Sequence, residues 1–180
     1  VQSETGKLIG FQLWANLPAS QKMMPPRYRG ITAEEIPVID SPTATIRIVS
    51  GTIGEVQGPA KDIVIEPEYL DVTVKSNEMW VHPTPAGHTV FAYLFQGSAD
   101  FEQSKTLLQA DKGMVVVFSD GDQVAISAGE DGARFLLIGG KPLREPIAWG
   151  GPIVMNTEEE LRTAFAEYRA GTFIKHKSEI

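Results

Sequence analysis

The 180 residues carry a formal net charge of −7, with 42% hydrophobic and 22% charged residues and no cysteine. The acidic balance argues against direct nucleic-acid binding, which needs clustered Lys and Arg to neutralise phosphates. Without cysteine there are no disulfides, no thiolate catalysis, no Cys-ligated zinc and no iron–sulfur cluster.

The longest apolar runs, such as Met114-Val115-Val116-Val117-Phe118, fall far short of the roughly 20 residues that span a bilayer. No membrane association is expected. No secretory signal pattern is visible, and a cysteine-free chain fits a reducing compartment, so a cytoplasmic location is expected. The chain opens Val1-Gln2-Ser3 rather than with methionine, so a segment upstream is expected to have been removed.

Residues 8–17, Leu-Ile-Gly-Phe-Gln-Leu-Trp-Ala-Asn-Leu, read as an apolar strand ended by Pro18. Four of the twelve prolines (Pro18, Pro25, Pro26, Pro37) then fall in residues 18–37, a linker composition with at most a helical turn near Thr32 to Ile36. The first stretch therefore reads as a module separate from the residues after the linker.

Residues 36–140 read as β throughout. Leu70, Val72 and Val74 alternate with Asp71, Thr73 and Lys75, the period-two pattern of a strand with one wet face. Met79 to His82 is a further short strand, and Met114 to Phe118 another, ended by the turn Ser119-Asp120-Gly121-Asp122. Val124, Ile126 and Ala128 alternate next, and Phe135 to Ile138 closes the series. Short strands with turn residues between them predict a sandwich or closed barrel. Its centre is the stretch 83–97, where a histidine-bearing loop opens into Val90-Phe91-Ala92-Tyr93-Leu94-Phe95, bounded by Gly87 and Gly97 and read as buried on both faces.

The last segment changes character. Thr157 with Glu160 forms a capping box, acids fill the first turn, and Leu161, Ala164, Phe165 and Tyr168 make one apolar stripe that ends at Gly171. An amphipathic helix is predicted there, followed by a solvated tail through Lys175-His176-Lys177.

No phosphate-binding glycine loop and no G-x-S-x-G elbow is present. Of the three histidines, His82, His88 and His176, none sits in the context of an activated serine. A metal in a β-barrel needs several imidazoles and a carboxylate converging from neighbouring strands. His82 and His88 are the candidates, evenly spaced as one strand face requires, but Pro83, Pro85 and Gly87 break any strand between them. The residues favour His88 as a loop histidine at the strand's start and His82 as a surface or half-buried one.

Two stretches resemble the pirins, members of the cupin superfamily. One is Gly10-Phe11-Gln12-Leu13-Trp14-Ala15-Asn16-Leu17-Pro18, followed by Pro25-Pro26-Arg27-Tyr28. The other is Pro142-Leu143-Arg144-Glu145-Pro146-Ile147-Ala148, continuing through Gly151-Pro152-Ile153-Val154-Met155-Asn156-Thr157-Glu158-Glu159. One departure is Gly150, where that family more often has an aromatic residue.

The resemblance implies an all-β cupin barrel, a double-stranded β-helix or jelly roll. Residues 1–35 are then the end of a preceding barrel with its linker, 36–150 the second barrel, and 151–180 a helix and tail lying back on the first barrel. It implies that Fe(II) is held by three histidines and a glutamate in that preceding barrel, and that some relatives open flavonols as quercetin 2,3-dioxygenases. The human form is a nuclear cofactor of transcription, which makes a nuclear location the alternative for a eukaryotic source.

Laid onto this chain, the family's ligand motif puts its histidines at Pro83, Pro85 and near Arg134 and its glutamate at Thr89. No catalytic or cofactor-binding residue is thus expected on this chain, and no metal ligand beyond the weak candidates His82 and His88. The expected role is a metal-free module for structure or protein interaction. Its expected partner is the preceding barrel, a second copy of the chain as a homo-oligomer, or another protein.

Overall fold

Two long strands that bend part-way along carry the architecture. The structure, a computed structural model, describes residues 10–103 and 106–175. One-turn 3-10 helices at Ala19–Gln21 and Ala33–Glu35 precede β1 (Val38–Asp40) and β2 (Ala44–Ser50). A small hairpin of β3 (Thr52–Ile53) and β4 (Val56–Gln57) leads to β5 (Glu68–Val74) and β6 (Met79–Pro83). The long β7 (Thr89–Gln103) is followed by β8 (Thr106–Asp111), β9 (Val115–Val117) and the long β10 (Gln123–Gly140). The chain closes with β11 (Ala148–Gly150), β12 (Ile153–Met155) and α1 (Glu158–Ala170).

The main sheet runs β1-β2-β5-β10-β7-β8, with β6 also on β10 and β9 also on β7. Residues 123–127 of β10 pair with β6, whereas residues 133–139 pair with β5. β7 accompanies β10 along both halves, and the register slips between Ala128 and Ala133. The bend sits where Gly97 and Gly132 both take φ +74°. A β-carbon on Gly97 would collide with the carbonyl oxygen of Gly132, so the two backbones approach as only glycine permits. Each long strand therefore serves two sheet halves that enclose one core.

That arrangement revises three readings of the sequence. Gly97 does not end its strand; it bends it, and β7 continues to Gln103. Residues 124–128 and 135–138, which read as separate strands, are one strand of 18 residues. The segment 90–95 is buried on one face only. Val90, Ala92 and Leu94 point inward and are at most 5% exposed, while Phe91, Tyr93 and Phe95 alternate on the half-covered outer face.

Phe101, Phe135, Ile48, Leu70, Leu94, Ile126, Leu137, Val72 and Val74 are fully buried in this core. Burying each such side chain contributes about 1.5–3 kcal/mol relative to leaving it in water. Phe101 meets Phe135 edge-on at 6.2 Å and Phe118 at 5.8 Å, and Trp80 meets Phe135 at 6.0 Å. Aromatic rings thus occupy the interior.

Among the described residues, those of 28–142 make up one compact unit, and residues 10–27 together with 143–175 make up another. That second unit draws on both described ends of the chain. In it α1 begins with the expected capping box, the Thr157 side chain accepting from Glu160 N, and stops at Gly171 with φ +71°. Leu161 and Ala164 pack with Ala148 and Ile153, joined by Met155, Phe165 and Phe173. A β-carbon on Gly150 would lie 3.0 Å from Phe165 Cε2 and 3.3 Å from Leu161 Cδ2. The missing aromatic at 150 is what lets β11 sit close to the helix.

The strand expected over residues 8–17 begins outside the described residues, and its part from Gly10 onward is irregular chain that joins no sheet. Asn16 accepts from the Leu17 amide and the Lys22 ammonium, and Glu145 accepts from the Ala19 amide. His176 and the end of the tail lie outside the described residues.

Candidate functional site

The inward row of β6 continues through Trp80 and His82 to Thr84, whose exposures are 7%, 5% and 7%. Pairing with β10 pins that row, Trp80 lying opposite Ile126 and His82 opposite Val124. Beyond β6, the Thr84 amide still donates to Asp122 O at 2.8 Å, which keeps the alternation going. His82 is therefore not the surface or half-buried histidine that the sequence suggests. The two-residue period of a well-paired strand turns it into the core.

Inside, His82 Nε2 lies 2.9 Å from Glu68 Oε1, at the start of β5. Its ring stacks on Trp80 with centroids 5.1 Å apart and planes 11° from parallel. Sequence reasoning misses Glu68. Its only signal is its place next to the alternating run Leu70, Val72, Val74, at the parity that faces inward.

His88 stands partly exposed in the loop before β7, its amide donating to Pro85 O at 3.2 Å. The Gly87 amide in the same loop donates to Asp120 Oδ1 at 2.6 Å. The structure thus gives His82 a carboxylate partner and leaves His88 on the rim. Among the described residues no group of three or more His, Asp or Glu side chains is placed to hold a metal ion.

The positions that the pirin resemblance assigns to ligands all lie on the outside. Pro83, Pro85 and Thr89 are exposed. Arg134 donates through Nε and Nη2 to the two oxygens of Asp71, at 2.9 and 2.6 Å, and lies 5.1 Å over the Phe95 ring. Those hydrogen bonds raise the guanidinium pKa further above its ordinary value, with burial opposing. The overlay is therefore one residue out of step with the strand faces. The inward neighbours are His82, Thr84 and Phe135, and they supply one imidazole between them.

The sequence profile of the pirin C-terminal cupin domain matches residues 69–174. The chain belongs to the pirin family. Human pirin is 34% identical over 164 residues, which cover 89% of this chain and 55% of that protein. A Thermoplasma acidophilum protein provisionally named a quercetin 2,3-dioxygenase is 36% identical over 179 residues, covering 95% of this chain and 67% of its own. A crystal structure of quercetin 2,3-dioxygenase from Acinetobacter baumannii superposes with TM-score 0.80 at 29% identity, over 89% of this chain and 55% of that one. The fold is thus that of the cupins, with an open hydrogen-bonded path among the described strands rather than a closed ring. This pirin chain spans between 55% and 67% of the length of those proteins.

Proposed function

We propose that the cupin half at residues 36–150 is a structural and protein-interaction module of a pirin, with no catalytic metal of its own. The observation that carries this is the inward row. Iron held by three imidazoles and a carboxylate needs four donors converging on one point. Here the inward positions hold Trp80, His82, Thr84, Glu68 and Phe135, which offer one imidazole and one carboxylate already hydrogen-bonded to each other, and Phe135 fills the interior with its ring. The residues present do not fit that ion.

A second reading keeps the activity in the longer protein. Relatives named for quercetin 2,3-dioxygenase extend well beyond the length matched here. In that reading Fe(II) and the flavonol sit in a preceding barrel, and residues 1–35 are the end of that barrel and its linker. A cytoplasmic location suits both readings; no helix among the described residues is long and apolar enough to cross a membrane.

The unit built from the two chain ends supports an interaction role. A groove of about 630 Å³ is lined by Leu13, Trp14, Leu17, Ile147, Trp149 and Phe173 among others. Trp149 is 70% exposed, Ile147 69% and Trp14 61%. Contiguous apolar surface of this kind marks an interface. A preceding barrel would cover it in a longer pirin, and a second copy would cover it in this chain alone. Sedimentation velocity at high concentration should show self-association that Trp149→Ser with Ile147→Ser weakens at least tenfold. A monodisperse monomer under those conditions would contradict the interface.

A further inference from the structure

Among the described residues, four strands of the main sheet are paired on one side only: β1 on β2, β6 on β10, and β8 and β9 on β7. An open edge invites pairing with another chain, and proteins blunt such edges with charge or proline. β1 carries Asp40, β6 carries Pro83 and β8 carries Asp111. β9 is Val115-Val116-Val117 and carries neither.

The bonding of β9 shows which groups it offers. The Leu94 amide donates to Met114 O and the Phe118 amide to Val90 O, both at 3.0 Å. Even-numbered residues of this stretch thus face β7, and the alternation of an antiparallel ladder turns the N–H and C=O of Val115 and Val117 to the open edge. Their side chains are 57% and 61% exposed, while Val116 between them is buried. In the register they stand beside Tyr93 and Phe91, on the sheet's outer face. The flanks select an occupant. Lys112 precedes the strand and Asp120 follows it, equally far from Val116, with Met114 and Phe118 in between. A second copy laid antiparallel about Val116 sets Val115 against Val117, Met114 against Phe118 and Lys112 toward Asp120. A parallel copy would set lysine beside lysine, and like charges directly opposite destabilise a pair. Asp120 is held in place by the Gly87 amide, which donates to its Oδ1 at 2.6 Å.

We propose that β9 is a homodimerisation edge, pairing antiparallel with β9 of a second copy across a two-fold axis at Val116. Val115 of each copy then exchanges both main-chain hydrogen bonds with Val117 of the other, and the valine side chains meet on one face. A two-fold contact uses the edge on both copies and closes at a dimer. Built on a strand of three residues, it is the weaker of the two self-contacts and independent of the groove in the other unit.

The test begins by silencing the groove with Trp149→Ser/Ile147→Ser in the full chain and following it by sedimentation velocity. A monomer–dimer equilibrium should remain, and adding Val117→Pro should weaken it at least tenfold. Proline there removes an edge donor and no ladder bond, so β9 stays on β7. Cross-linking reads the register, because the chain has no cysteine of its own. Directly opposed residues of such a pair have Cα atoms about 5.5 Å apart, within disulfide reach, whereas the diagonal pair open to a single variant lies beyond it. In the same background, Val115→Cys mixed with Val117→Cys under mild oxidation should give covalent dimer at least tenfold faster than either variant alone. These exposed positions keep the test decisive if the proline variant fails to fold. Equal rates in the mixture and the single variants, or a Val117→Pro dimer of unchanged affinity, would overturn the β9 contact. So would monomer alone in Trp149→Ser/Ile147→Ser, a result that leaves the groove reading standing.

Discussion

Gly97→Ala is expected to destabilise the chain by about 4 kcal/mol, the sum of two separate costs. A non-glycine residue held at positive φ costs on the order of 1–3 kcal/mol, and forcing atoms into a close-packed site typically costs about 1–3 more. Both apply at Gly97, where φ is +74° and the added methyl would meet the Gly132 carbonyl. The obstruction is backbone, so no side-chain rotation relieves it. Gly113 is the internal control. It has φ +95° and no heavy atom within 4 Å of where the methyl would stand, so its alanine variant should show the backbone cost alone. Urea denaturation of both variants measures the difference. Equal, small losses would mean that the bend does not depend on contact between Gly97 and Gly132.

Phe135→Ala should cost about 3–5 kcal/mol, the usual range for emptying a buried aromatic site. Phe135 is fully buried, edge-on to Phe101 and tilted to Trp80, so its removal takes one ring contact from each. The preceding residue is the control. Arg134 lies on the outer face, paired with Asp71 and partly open to solvent, and such pairs contribute about 1 kcal/mol or less. Denaturant midpoints for Phe135→Ala and Arg134→Ala therefore read out which of two neighbours faces the core. If the arginine variant lost more, the inward row of this cupin half would be wrong at the position where the family's ligand overlay misses.

The parts of this fold legible in the sequence are those governed by local pattern. The alternation Leu70, Val72, Val74 gives β5, and the Thr157–Glu160 box and Gly171 bracket α1. The bends are not legible, because a glycine that ends a strand and one that lets two strands cross closely look alike. Gly97 reads as the first and is the second. The site is hidden for a related reason. Motif overlay puts ligand positions at Pro83 and Pro85, but the pairing of β6 with β10 turns His82 and Thr84 inward. Glu68 escapes notice because it lies 14 residues from His82 in sequence, and only the curvature of the sheet brings them to 2.9 Å.

Iron content and flavonol turnover, measured together on the whole chain, test the central claim most directly. The chain is incubated anaerobically with excess Fe(II), desalted through a chelator, and assayed for iron and for quercetin-dependent dioxygen uptake. Less than about 0.1 iron per chain and no uptake above the protein-free control are predicted, as expected where one imidazole replaces a full ligand set. Stoichiometric iron that survives the chelator, with turnover abolished by His82→Gln, would contradict the account and make this cupin half a catalytic one.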